Sequence, residues 1–180
     1  RAIGRHGKPA GKARAGRGQL IISNDGNSAP GATIVSSSCT DTTVGYILLY
    51  GAGKLRIDAG QALSALSSGI TGLNNIGSTF IDSGTFVLAG SWVQSSTAIF
   101  TAPTGSTVTF NGSSAQTVDV KGQAFQTVIG SNTSSGGVLM LSSSSVSNLI
   151  NNAGATFNLG GLLFNDTAIN NSGNLVVVGT

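Results

Sequence analysis

The chain is 180 residues long, about the size of one ordinary domain, which argues against a multidomain enzyme. Only 8% of its residues are charged, glutamate is absent, and 27 glycines with 25 Ser, 18 Thr and 14 Asn fill nearly half of it. Such small polar residues favour turns and strands and exclude an all-helical fold, while a hydrophobic content of 39% separates the chain from a disordered Ser/Gly-rich linker.

The net charge of +3 is the sum of two unlike segments. Arg1, Arg5, Lys8, Lys12, Arg14 and Arg17 lie before residue 18, and the remainder holds Lys54, Arg56 and Lys121 against six aspartates. Residues 1–18 therefore read as an extended basic arm, and 19–180 as the folded domain. The arm's spaced cations suit an anionic surface or an acidic patch on a neighbouring subunit. No aromatic residue interleaves them, so base stacking is not encoded and specific nucleic-acid recognition is not expected. The stretch GKPAGKARAGRG lacks the GKS or GKT of a phosphate loop and follows no strand. His6, the only histidine, has no neighbouring Cys or acid to complete a metal site, and no cofactor is expected. A lone Cys39 cannot form an internal disulfide. No apolar run approaches the roughly 18 residues needed to cross a bilayer.

Beyond the arm an octad recurs: GATIVSSS at Gly31, GKLRIDAG at Gly53, GSTFIDSG at Gly77, GSTVTFNG at Gly105, GGVLMLSS at Gly136, GATFNLGG at Gly154 and GNLVVVGT at Gly173. Its starts are 22, 24, 28, 31, 18 and 19 residues apart, which is the spacing of repeat architectures. Within octads apolar residues mostly alternate with threonine or asparagine, the period of a strand, and the leading glycine supplies a tight corner. A strand, a corner and a short return, repeated at this interval, stack each octad on its predecessor as a parallel β-solenoid, an all-β fold. Seven rungs predict a rod roughly 30 Å long with an apolar interior.

Three segments qualify the pattern. YILLY at Tyr46–Tyr50 reads as buried. In 61–76, Leu63, Leu66, Ile70 and Leu73 fall at helical spacing, and the intervening glycines limit the expectation to one or two helical turns beside the solenoid. The long interval from Gly105 to Gly136 predicts an extra strand pair, Thr117–Val120 and Phe125–Ile129, or a projecting loop.

At the octads and the Asn-Asn-x-Gly corners (INNAG at Ile150–Gly154, INNSG at Ile169–Gly173) the sequence resembles the filamentous-haemagglutinin and autotransporter-passenger group of secreted β-helices. The likeness is best over Gly105–Thr180 and implies a right-handed β-helix at a bacterial surface. The chain departs from that pattern in its irregular coil length, in the lack of a recognisable secretion domain, and in its first thirty residues. Phage fibres and tailspikes use similar coils.

Asp58 and Asp82 hold matching octad positions, which would place them on adjacent rungs, close enough to perturb one another or hold a cation, with Arg56 nearby. The alternative is a solvated outer face on which aspartates sit because apolar residues point inward. The last octad ends on Leu175, Val176, Val177 and Val178 without a polar cap, so its end is expected to stack against another molecule. Together these features predict a non-enzymatic structural or adhesive subunit, extracellular or at the cell surface, that forms a homo-oligomer or larger assembly and touches glycan or an anionic surface. A virion protein is the alternative, and a carbohydrate-active enzyme using Asp58 and Asp82 is third.

Overall fold

A computed structural model of the chain describes residues 12–16, 19–23, 32–35, 42–51, 53–160 and 164–177. Among these the secondary structure is all strand. β1 (Lys12–Gly16) and β2 (Gln19–Ser23) form a hairpin, and the chain then coils. β3 (Ala32–Val35) and β4 (Thr43–Val44) complete the coil begun by β2. β5 (Tyr46–Tyr50), β6 (Lys54–Ile57) and β7 (Ala62–Ala65) make the next, followed by β8 (Thr71–Ile76), β9 (Thr79–Asp82) and β10 (Thr85–Leu88). β11 (Ser91–Gln94), β12 (Ile99–Thr101) and β13 (Thr107–Phe110) form the last coil with three separate strands. Two strands per coil follow: β14 (Gln116–Asp119) with β15 (Phe125–Gly130), β16 (Val138–Met140) with β17 (Ser144–Asn151), and β18 (Thr156–Asn158) with β19 (Phe164–Asn171). β20 (Asn174–Val176) lies on β18.

Like strands stack on like. The first face has the order β1-β2-β5-β8-β11-β14-β16-β18-β20, the second β4-β7-β10-β13-β15-β17-β19, and the third β3-β6-β9-β12. Every pairing is parallel except that of β1 with β2. The molecule is a parallel β-solenoid, as the octads predict.

The octads do not, however, form a single ladder. Those at Gly31, Gly53 and Gly77 supply β3, β6 and β9 on the third face, and those at Gly136, Gly154 and Gly173 supply β16, β18 and β20 on the first. The one at Gly105 supplies β13 on the second face, where it pairs with Thr85–Leu88 and not with the octad before it. A glycine corner leading into alternating residues is a unit any face can use. Gly77 and Gly105 open their octads at φ +76° and +91°, a backbone region cheap only for glycine.

The third face stops at β12. Its outer backbone is closed by Gln123, whose amide Nε2 donates to the Ala98 carbonyl at 2.9 Å while its Oε1 accepts from the Phe100 N–H. From β15 onward the second-face strand lengthens and bends. In β15 and β17 two consecutive residues, Gln126–Thr127 and Ser147–Asn148, are half-buried where strict alternation would bury one, and the pairing skips Gln126 and Ser147. The bend carries the chain across the place of the third face, with the Phe125 ring 5.2 Å from Phe100.

Inward residues fill the interior continuously from Leu20 to Leu159. At the step between the two kinds of coil the filling is aromatic: fully buried Trp92 touches Phe80, Phe86, Phe100 and Phe125, at centroid distances of 4.8 to 5.8 Å.

Three segment expectations change. Residues 61–76 contain β7 and β8 and no helical turn, because their backbone groups are taken by the preceding coil: Ser64 N–H donates to Thr42 at 2.8 Å and Leu66 N–H to Val44 at 2.9 Å. Leu63 and Leu73 point inward, whereas Leu66 and Ile70 are exposed. YILLY is only half buried, with Ile47 and Leu49 in the core and Tyr46, Leu48 and Tyr50 turned outward. β14 and β15 are ordinary sides of a coil, and the long interval between octads arises because the octad moves from the second face to the first.

Candidate functional site

The two matched aspartates do not come together as a pair. In the third face Ile57, not Asp58, is the register partner of Asp82, so the chemically aligned motifs are one residue out of step. Asp58 faces outward and accepts from Arg56 Nε at 2.7 Å. Asp82 points inward and is fully buried. Its Oδ1 accepts from the Gly84 N–H at 3.0 Å, and its Oδ2 has no hydrogen-bond partner. Loss of hydration raises its pKa to about 7, with the Gly84 N–H pulling the other way. The solvated-face expectation therefore describes Asp58 and fails for Asp82. Nothing in the octad GSTFIDSG marks the change, since only the register of the coil decides which residue turns in.

Asp119 pairs with Lys121, Nζ to Oδ2 2.6 Å, at the corner after β14. Partial burial pushes its carboxyl up, but the hydrogen bonds and charge of Lys121, with the Ser142 hydroxyl, outweigh this and hold it below the usual range. No group of three or more His, Cys, Asp or Glu that could hold a metal occurs among the described residues. No described helix is long and apolar enough to cross a membrane.

Buried amides, which the composition did not single out, hold the corner leading from the second face back to the first. Gln116 Nε2 donates to the Leu88 and Gly90 carbonyls at 2.9 and 2.7 Å, and its Oε1 accepts from Gly112 N–H and from Asn132 Nδ2. Asn132 Nδ2 also reaches the Ser114 carbonyl at 2.7 Å. Asn151 Nδ2 donates to Asn171 Oδ1 one coil on, at 2.9 Å. The Asn-Asn-x-Gly corners thus have a structural use, since Asn151 bonds to the coil after it and Asn152 Nδ2 to Ser131 Oγ of the coil before it at 2.8 Å, whereas the buried backbone groups at the preceding corner are satisfied by Gln116 and Asn132.

Of the basic arm, Lys12 and Arg14 lie on β1, in the hairpin at the edge of the first face. Arg1, Arg5, Lys8 and Arg17 lie outside the described residues. At the other end Leu175 packs against the core beneath it, Val176 is half-buried, Val177 is 61% exposed, and Val178 lies outside the described residues. On β19 Ile169 continues the inward column of Val128 and Leu149 yet is 45% exposed.

A concavity of about 360 Å³ lies on the outer surface of the first face, lined among the described residues by Tyr46, Leu48, Ile70, Thr71 and Asn74. It lies where β8 bulges: Thr71 pairs with Ser91 and Leu73 with Trp92, leaving Gly72 as an extra residue. Gly72 is required there because a Cβ would stand 2.5 Å from Leu88 Cδ1 and 3.0 Å from the Gly90 backbone.

No protein-family model matches the chain, and no curated protein or solved structure matches it. The class that the geometry defines is therefore architectural: a parallel β-solenoid of stacked, sparsely charged coils.

Proposed function

We propose that the chain is a non-enzymatic structural or adhesive subunit of an extracellular bacterial assembly, similar in kind to the filamentous-haemagglutinin and autotransporter-passenger β-helices, and that it meets its neighbours through the basic arm and the β19–β20 end. The observation that carries this reading is the uncovered continuation of the core at that end. Inward register columns that are fully buried at Leu149 and Phe157 continue to Ile169 and Leu175, and Ile169 with Val177 stays open to solvent among the described residues. A strand added in register there would cover apolar surface and give the β19 and β20 backbones partners, which is how unblocked strand edges associate. Asp58 faces outward and Asp82 inward, so they are not the facing carboxylates that the enzymatic alternative uses, and this too supports the non-enzymatic reading.

The test is sedimentation and electron microscopy of the full chain across a concentration series. The reading predicts concentration-dependent particles or filaments, shifted to the single chain by Ile169→Asp with Val177→Asp. A parent protein that stays a single chain at every concentration and salt would overturn it.

A further inference from the structure

We infer that the concavity over the β8 bulge is a binding site for a neutral sugar, one or two pyranose rings in size. This inference rests on the adhesive reading above and names the ligand class and the residues that take it.

The site is produced by the backbone. The inserted Gly72 breaks the pleat of the first face at its edge, and Ile70 and Thr71 there form one wall, with Tyr46 and Leu48 of β5 and Asn74 of β8 completing the cavity. A volume of about 360 Å³ falls at the lower end of the ~300–1,000 Å³ range of small-molecule clefts. The lining has two characters at once. Leu48, Ile70 and the Tyr46 ring are apolar, and Ile70 is exposed in the free protein. Tyr46 Oη, Thr71 Oγ1 and the Asn74 amide add donors and acceptors, and among the described residues no hydrogen bond engages these three side chains.

A pyranose uses both, because it presents C–H groups on one face and hydroxyls around its rim. Charge points the same way, since none of the described residues that line the cavity is Asp, Glu, Lys, Arg or His. An ionised sugar, a phosphate or an acidic peptide would lose its hydration without gaining a counter-charge. The occupant that fits is uncharged. Gln116 and Asn132 spend their amides on corner carbonyls, whereas Asn74 sits on the outward side of β8 with no side-chain hydrogen bond among the described residues.

The experiment is titration of the isotopically labelled full chain, followed by NMR, with maltose, cellobiose, lactose, N,N′-diacetylchitobiose and a glucuronate-containing disaccharide. At least one neutral sugar is expected to move the amides of Tyr46, Leu48 and Ile70–Asn74 in a saturable way. Tyr46→Ala and Asn74→Ala should each weaken that binding about tenfold or more, with the buried Trp92 emission unchanged as the check on folding. Three results would overturn the inference: no neutral sugar shifts these amides, binding survives both substitutions, or the glucuronate sugar binds there more tightly than the neutral ones. Sedimentation of Tyr46→Ala separates the two readings. Loss of sugar binding with assembly intact leaves the structural role standing, and failure of the parent to assemble leaves the sugar site to be judged on its own titration.

Discussion

The coil from Leu73 to Trp92 and the coil from Val138 to Phe157 each take 19 residues, yet the first has three separate strands and the second has two. Coil length therefore does not choose between them. The corners do. In the first coil the third and second faces are divided at Ser83–Gly84, and a Cβ on Gly84 would lie 2.3 Å from the Gln61 carbonyl oxygen and 2.5 Å from that of Asp58. The coils are packed so closely there that only glycine passes. In the second coil the same change of direction is spread over Ser147–Asn148 inside one continuous strand, with no glycine at all. A sharp corner keeps the sheets separate, and a gradual bend fuses them. Gln123 and the Trp92 ring cluster occupy the step between the two designs, one satisfying the last backbone edge of the third face and the other filling the interior beneath it.

Asp82 belongs to the sharp corner and gives the largest expected contrast. Its carboxyl titrates near 3.8 when the chain is unfolded and about 7 when folded. Below about pH 4 both states carry the proton and the group is neutral in its effect. As pH rises from there the unfolded chain releases the proton while the folded chain holds it, so stability falls by up to ~1.4 kcal/mol per pH unit until about pH 7, then stays level. Asp82→Asn keeps an acceptor for the Gly84 N–H and removes the titration. Urea unfolding should show the variant close to the parent at pH 4 and more stable at pH 8, by no more than about 4 kcal/mol. A parent whose stability is flat between pH 4 and 8 would contradict the buried placement.

The corners themselves give the next contrast. Gly84→Ala forces backbone apart and should cost about 1–3 kcal/mol by the same measurement. Ser147→Ala, at the fused bend, should stay within about 0.5 kcal/mol, since its hydroxyl makes only a 3.4 Å contact to Gln126 Oε1. Equal costs at the two positions would erase the distinction between corner and bend.

Much of the architecture was legible in the amino acids. Alternation at Val108 and Phe110, or at Phe86 and Leu88, is a local property of strands, and corner glycines with Asn-Asn-x-Gly are local as well. What could not be read locally is register. Ile-Asp-x-Gly occurs at Ile57 and again at Ile81, but pairing with the preceding coil slips the second copy by one residue and turns Asp82 inward. The spacing of Leu63, Leu66, Ile70 and Leu73 matches a helix by coincidence, since two of them face the core from different strands and two lie outside it. The concavity was invisible for a related reason. It depends on Gly72 being an unpaired insertion between β8 and β11, which no composition or period records.

Cysteine cross-linking reads directly which strands are neighbours. With Cys39 replaced by Ser, a Thr85→Cys, Thr107→Cys pair places the two thiols on register partners of adjacent parallel strands, whose usual spacing of about 4.8 Å suits the roughly 4.4–6.8 Å Cα separation of a disulfide. Aligning the octads instead makes Thr79 the neighbour of Thr107. Mild oxidation of the folded monomer is predicted to close the 85–107 pair fully and leave a Thr79→Cys, Thr107→Cys pair reduced. Closure of 79–107 with 85–107 left open would show that the octads form one ladder after all and would contradict the face assignment of every coil beyond β9.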